Sequence, residues 1–437
     1  MAWFRIQNMP LKILMKTPAL TQLQRRAVSL VGLGLAMDVY DVFIMGFVIA
    51  SLSKGTPSGT KAVLLGAGYL GMALGASLLG VLADRFGRKR LFQINLLCFS
   101  LFSGACALTR TLAGFALMRF LTGVFLGAEL PLADAYLTEV LPPRSRGRLC
   151  GYAYSLSFLA VPLAGLVSAF LLPIHDPVAG WRLAMILGAA CGILVGLRIR
   201  ALPESSKWIA MKEASKEAAG KGRLEGAKLP RRWRSGRFGE LFSPSYIRRT
   251  CMLWLFHIFQ GSAYYAFSSL TPLVLRMRGF ELAEGSLLGA VMFLGYPLGS
   301  FLSVPILDRL ERKRIIVTST LALASIAVLL AFTAGTLEML LLGFCFTLLA
   351  NVFSNAYHVY QAELYPTRLR GMGVGVAYSL SRVSTGLMPF LFVPLLENLG
   401  PAWLYGVIAL FELILALDIG TLGPRTSRQP LEVLSPD

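Results

Sequence analysis

The sequence predicts an all-α integral membrane protein of twelve transmembrane helices, arranged as two parallel repeats of six. Composition is the first observation behind this. Of 437 residues, 55% are hydrophobic and 15% charged, with a mean hydropathy of +0.64. Soluble domains carry about 45–50% apolar and about 25% charged residues. A soluble enzyme, a disordered chain and a disulfide-stapled secreted scaffold are therefore excluded. The second observation is the spacing of apolar runs, and the third is a set of motifs that recur at one constant offset.

The apolar runs fall at 27–50, 62–83, 91–109, 112–138, 149–172, 181–200, 250–275, 285–307, 315–334, 336–362, 371–396 and 401–423. A helix needs about 20 apolar residues to cross the hydrocarbon. Membrane strands would be about 10 residues long and would alternate polar with apolar. These runs are apolar on all sides, so they are read as helices. They divide the chain into a segment 1–26, a first bundle 27–200, a basic linker 201–249, a second bundle 250–423 and a tail 424–437.

The net charge is +19, from 42 Lys+Arg against 23 Asp+Glu. With the N-terminus inside, 34 of the 42 positive charges fall on one face and six on the other (Lys54, Lys61, Arg110, Arg182, Arg276 and Arg278). Lys/Arg enrichment in loops marks the cytoplasmic side. The expected protein is a multi-pass plasma (inner) membrane protein with both termini in the cytoplasm. The linker carries 12 Lys/Arg and 5 Glu, which suits a solvated strand resting on anionic headgroups. The basic runs have no DNA-reading context, so nucleic acid is not an expected partner. No removable signal peptide is expected at the N-terminus, which lacks a sustained apolar core. The six cysteines form no metal-ligand spacing, and no metal site is expected.

Asp84-Arg85-Phe86-Gly87-Arg88-Lys89-Arg90 recurs as Asp308-Arg309-Leu310-Glu311-Arg312-Lys313-Arg314, an offset of 224. Glu139, Pro142, Arg144 and Gly147 recur at the same offset as Glu363, Pro366, Arg368 and Gly371. Gly151-Tyr-Ala-Tyr-Ser-Leu-Ser157 recurs as Gly375-Val-Ala-Tyr-Ser-Leu-Ser381. Two homologous bundles in the same orientation enclose a site near the midplane and rock about it. Opposite charges at the cytoplasmic helix ends then suit an inner gate. Its candidate residues are Asp84, Arg85, Arg88, Glu139, Arg144, Arg146 and Glu204, with Asp308, Arg312, Glu363 and Arg368 in the second half.

These residues resemble the major facilitator superfamily over essentially the whole chain. Gly80-x-x-x-Asp84-Arg85-x-Gly87-Arg88-Lys89-Arg90 is similar to its loop motif between helices two and three. Glu139-x-x-Pro-x-x-x-Arg146-Gly147 and Pro203-Glu204-Ser205-Ser206-Lys207-Trp208 are similar to markers of its sugar-porter branch. The branch, broadly drawn, includes proton symporters for aromatic acids and nicotinate. Asp38-Val-Tyr-Asp41 resembles the first-helix motif of the aromatic-acid group. The resemblance implies the major facilitator fold, and it matches Asp41 and Arg119 to the carboxylate–arginine pair that couples proton to substrate in sugar porters. Gln260-Gly261 is loosely similar to the seventh-helix glutamine of sugar porters, but the full Gln-Gln-x-x-Gly pattern is absent.

A charge at the centre of a span costs about 2.5–3.5 kcal/mol on insertion scales, so such residues face a cavity and a partner. Asp38 and Asp41 are i, i+3 and share a helix face. A buried carboxylate takes up a proton unless an arginine holds it ionised. Glu129 lies about 15 Å further inward than Arg119 along the fourth span. Its three readings are a second proton site, a cation ligand, or a partner for Arg85 or Arg88. Arg382 replaces the Phe158 of the first half, so the repeat itself does not require a charge there. Its two readings are an anchor for a carboxylate, which its planar fork suits, and a structural tie to Asp38 or Asp41. Gln260, Tyr264, Tyr265, Asn351, Asn355 and His358 are the remaining candidate substrate contacts; the last three follow i, i+4, i+7 on one face.

The leading function is a secondary active transporter that moves a small organic carboxylate, aromatic or not, by proton symport through alternating access. A sugar or polyol porter and a proton-driven effluxer of organic cations or drugs are the alternatives. No catalytic constellation is present, so an enzyme is not expected. No ATP-binding loop is present either, so the energy comes from an ion gradient or the substrate's own gradient; the expected source is the proton gradient, with no cofactor. The working unit is expected to be a monomer in the lipid bilayer.

Overall fold

A computed structural model describes residues 21–52, 55–142, 146–174, 179–205, 208–209, 212, 238–307 and 310–426. Within these helices, the side chains of 77–85, 146–148, 304, 362, 367–368 and 370–371 lie outside the description. The described chain is almost entirely helical: α1 (Gln22–Ser51), α2 (Ser58–Phe86), α3 (Arg88–Cys106), α4 (Leu112–Val140), α5 (Arg146–Phe158), α6 (Ala160–Leu171), α7 (Gly180–Ile199), α8 (Ile247–Met277), α9 (Leu282–Phe293), α10 (Gly295–Leu307), α11 (Arg312–Phe332), α12 (Thr336–Glu363), α13 (Thr367–Leu399) and α14 (Pro401–Leu422). A short 3-10 turn, Phe238–Phe242, precedes α8.

The fifth span is α5 with α6, and the eighth is α9 with α10. Proline explains both interruptions. Pro162 and Pro297 cannot donate to the carbonyls of Phe158 and Phe293, where α5 and α9 stop. Among the described residues, nine spans are long and apolar enough to cross a membrane on composition alone. The other three are α2, α3 and α8. α3 opens on Arg88, Lys89 and Arg90, and α8 carries His257, Gln260 and a series of Ser and Thr. Large apolar side chains such as Phe170, Leu108 and Phe332 face outward, as helices solvated by lipid require.

The repeat is visible in the packing. α2 lies against α4 where Gly71 and Gly75 face the backbone of Phe120 and Val124. α10 lies against α12 where Gly295 and Gly299 face Phe344 and Leu348, each pair shifted by 224. A Cβ at any of the four would run into the facing backbone, so glycine permits the close approach. The halves meet through α1 on α8, α2 on α13, α5 on α10 and α6 on α9.

One end of the interface between the halves is sealed. Gly46 sits against the carbonyl of Ser269, and Gly66 against that of Gly386; a Cβ on either would fall 2.6 Å from the oxygen. Beyond them, Lys61 and Ser58 at the start of α2 both donate to the carboxylate of Glu397 near the end of α13. Lys61, read from sequence as a loop charge, is 4% exposed.

The opposite end carries the basic loops. Arg88 pairs with Glu139 at 3.5 Å, and their repeat equivalents Arg312 and Glu363 pair at 3.2 Å. Tyr136 donates to the carbonyl of Pro203 at 2.9 Å, and Tyr360 to that of Pro424 at 3.0 Å. Glu204 accepts from the backbone N–H groups of Lys89 and Arg90 at 2.8 and 3.2 Å, so it caps the start of α3. It does so across Gly87, whose φ of +103° and lack of a side chain make room for the carboxylate. Each of these two ion pairs lies within one half of the chain. Of the other gate candidates, Arg144 and Asp308 fall outside the described residues, as do the side chains of Asp84, Arg85, Arg146 and Arg368.

Candidate functional site

The site is assembled at mid-span from α1, α4, α8, α12 and α13. On α1, Asp41 is 3% exposed, and both of its oxygens are occupied. Arg119 of α4 donates from Nη1 to Oδ2 at 2.7 Å, and Ser103 of α3 donates to Oδ1. Arg119 is 4% exposed. Arg119 borders a small apolar cavity lined by residues that include Val42, Leu65, Gly68 and Tyr69. Asp41 and Arg119 thus form a buried ion pair in which both carboxylate oxygens have donors, while Nε of Arg119 has no partner. Ser103 was not singled out, because a serine in an apolar helix carries no signal by itself.

Asp38 lies one turn away, within electrostatic reach of Asp41 and of Arg382. Its Oδ1 is buried with no hydrogen-bond partner. Glu129 on α4 is fully buried, neither of its oxygens has a donor, and the charged group that reaches it is Asp38. Among the described residues Glu129 does not pair with Arg88, which meets Glu139; the side chain of Arg85, the other expected partner, lies outside the description.

Across the interface, Arg382 of α13 is buried among phenols. Nη1 donates to the hydroxyl of Tyr265 at 2.9 Å, and Nη2 donates to that of Tyr378. The guanidinium carbon also lies over both rings, 5.4 and 4.7 Å from their centroids. Nε has no partner. Tyr265 in turn contacts Tyr69 and Tyr264, with ring centroids at 5.0 and 5.1 Å. The partners bonded to Arg382 are neutral, so its positive charge is not cancelled within its own hydrogen bonds.

His358 of α12 is exposed, and its Nδ1 accepts from the amide of Gln361 at 3.1 Å. The amide oxygen of Gln361 accepts from His257 at 3.0 Å. Asn351 and Asn355 do not join this group. Their amides are spent on α10, on the carbonyl of Tyr296 at 2.6 Å and the hydroxyl of Ser303 at 2.7 Å. Each nitrogen thus ties α12 to α10, while the buried Oδ1 of Asn351 has no partner. Gln260 is half-buried and takes part in none of these bonds.

The site also contains residues the sequence did not single out. Tyr378 is i−4 from Arg382, the spacing that places two side chains on one helix face. Asp134 on α4 has a buried Oδ1 without a partner, and its charge reaches Tyr378. Asp134 is the repeat equivalent of His358, and the offset of 224 could have drawn attention to it.

A sequence family described as "Sugar (and other) transporter" matches residues 28–437. The chain belongs to this family. The sugar-porter-type chain is 29% identical to the niacin transporter NiaP of Acinetobacter baylyi (strain ATCC 33305 / BD413 / ADP1), over 92% of its own length and 94% of the relative's. It is 30% identical to a gallate transporter of Pseudomonas putida, over 79% of each chain. Its fold matches a crystal structure of a D-xylose–proton symporter with a TM-score of 0.76 at 17% identity, covering 93% of this chain and all of the other. The protein is a major facilitator transporter of a small metabolite, embedded in a membrane, and not an enzyme.

Proposed function

We propose that this transporter carries a small organic, aromatic carboxylate together with a proton by alternating access. The observation that carries the reading is Arg382: a buried guanidinium bonded only to two phenols, on an interface helix. A buried charge is stable when paired and hydrogen-bonded, and a substrate carboxylate supplies the missing counter-charge. Tyr265, Tyr264 and Tyr69 offer ring faces beside it. The niacin and gallate transporters that the chain resembles are named for aromatic substrates of this size.

Asp38, Asp41, Arg119 and Glu129 form the proton-coupling group, and the proton gradient supplies the energy without a cofactor. His358 lies within electrostatic reach of Arg382 and contacts the far side of the substrate. The basic loops face the cytoplasm of a plasma (inner) membrane, by the charge bias of the loops, and both termini lie on that side. Arg88–Glu139, Arg312–Glu363 and Glu204 hold the cytoplasmic helix ends in register. The working unit is a monomer.

The test is uptake into proteoliposomes of nicotinate, gallate, xylose and tetraethylammonium, each with and without a pH gradient. Accumulation of the two acids, driven by an acidic outside, is expected. If xylose alone accumulates, or if only the cation moves, the proposal fails.

A further inference from the structure

A line of hydrogen bonds in the second half runs from a buried histidine to an exposed one. His257 of α8 is 2% exposed, and its Nε2 donates to the amide oxygen of Gln361 at 3.0 Å. The amide nitrogen of Gln361 donates in turn to Nδ1 of His358 at 3.1 Å. The opposite direction would bury an N–H at Nδ1 of His257, an atom that has no partner, and orphaned buried N–H groups are rare. An imidazole whose Nδ1 accepts is neutral and carries its proton on Nε2. His358 therefore presents an N–H at Nε2, and among the described residues that atom bonds no protein group.

The helix decides where that N–H points. On α12, Asn351 and Asn355 bond α10, whereas Gln361 bonds α8. Successive residues turn by about 100°, so His358 falls between those two sides. The gap between α8 and α10 also holds Tyr264 against Tyr296, with ring centroids 5.5 Å apart. Tyr264 touches Tyr265, which bonds Arg382. The ring of His257 stands 6.5 Å from that of Tyr378, the second phenol on Arg382. α8 and α10 meet the first half through α1 and α5, so the exposed His358 opens on the interface between the halves and not on lipid. The repeat does not require this line of polar groups. At the offset of 224, Gln361 and His257 stand where the first half has Leu137 and Leu33, and burying polar side chains carries a cost that leucine avoids.

We propose that His358 determines which ring this transporter accepts. Its Nε2–H donates to an acceptor on the aromatic carboxylate held by Arg382, either a ring nitrogen or a ring-borne oxygen. Gln361 and His257 are positioning residues that keep the proton on Nε2. This rests on the reading of the protein as a carrier of aromatic carboxylates. A site with a fixed donor discriminates against an analogue that lacks the acceptor, because the donor then loses its partner.

The experiment measures initial uptake of labelled nicotinate, gallate and benzoate into proteoliposomes containing the full chain. Benzoate has the shape of nicotinate without the ring nitrogen. The wild-type protein is expected to take up nicotinate or gallate about fivefold faster than benzoate, the worth of one hydrogen bond. His358→Phe should bring that preference to near parity, and Gln361→Met should shrink it. Nitrogen-15 spectra of the imidazoles in detergent are recorded in parallel. The wild-type spectrum should place the His358 proton on Nε2, and Gln361→Met should show a mixture of tautomers; if Gln361 only fills space, the tautomer stays unchanged, which overturns the proposal. Equal uptake of the three acids by the wild-type protein also overturns it while leaving the carboxylate reading intact, and so does a preference kept in His358→Phe. If the variants fail to insert, the wild-type spectrum decides: a shift of the His358 Nε2–H caused by the preferred acid and not by benzoate supports the proposal, and no shift overturns it. If the wild-type protein moves none of the acids, the carboxylate reading itself fails and the proposal falls with it.

Discussion

Arg119 and Arg382 are both buried arginines in apolar helices, and their hydrogen-bond partners separate them. Arg119 meets a carboxylate, so the pair is electrically complete. Arg382 meets two phenols and keeps its charge. Charge-assisted hydrogen bonds contribute about 1.5–3 kcal/mol, and the loss of one partner falls on the ligand. Arg382→Ala is accordingly expected to weaken nicotinate uptake at least tenfold while changing nicotinamide uptake far less. Competition uptake with the two compounds, which differ in a charged carboxylate against a neutral carboxamide, checks this. The sequence identified Arg382 because the repeat has Phe158 in its place. It could not identify the neutral character of the shell, which depends on Tyr265 arriving from α8.

At the scale of the helix, the glycines of α2 and α10 determine how closely each bundle packs. Gly75 lies against the backbone of Val124, and Gly299 against that of Leu348. Gly406 on α14 has open space where its Cβ would stand. Overpacking a tight contact costs about 1–3 kcal/mol, and more when backbone rather than a flexible side chain must move. Gly75→Leu should lower the melting temperature in detergent clearly, and Gly406→Leu should leave it within a degree or two. Gly123 and Gly127 on α4 face the backbone of Gly68 and Met72 of α2, so the approach is close from both sides. The breaks of the fifth and eighth spans were not read from the sequence, although Pro162 and Pro297 mark them. In a continuous apolar run, a missing N–H changes the hydrogen bonds without changing the hydropathy.

Across the whole molecule, the contact that joins the halves at the sealed end is Lys61 and Ser58 on Glu397. Lys61 belongs to the first bundle and Glu397 to the second, so the state that opens this end must part them. Side chains that touch in this way show coupling energies of about 0.5–3 kcal/mol. Lys61→Glu and Glu397→Lys should each impair transport, and the double reversal should restore most of it. Initial rates of nicotinate uptake for the four proteins, corrected for protein inserted, measure the coupling; additive losses would remove the latch.

The sequence by itself determined the solvent, the number of spans, the two-fold repeat and the identity of most charged groups in the site. These properties follow from local quantities: hydropathy along a run, charge per loop, and identity at a fixed offset. Only the tertiary structure decided which charges cancel. Asp38 and Asp41 sit three residues apart on one helix face and look alike in sequence. One met Arg119 and Ser103; the other was left without a donor on one oxygen, within electrostatic reach of Glu129 and Arg382. Asn351 and Asn355 likewise lie on the same stripe as His358, yet they were spent on α10. Partner choice across helices depends on their rotation and approach, which the close glycine contacts determine and no local pattern records.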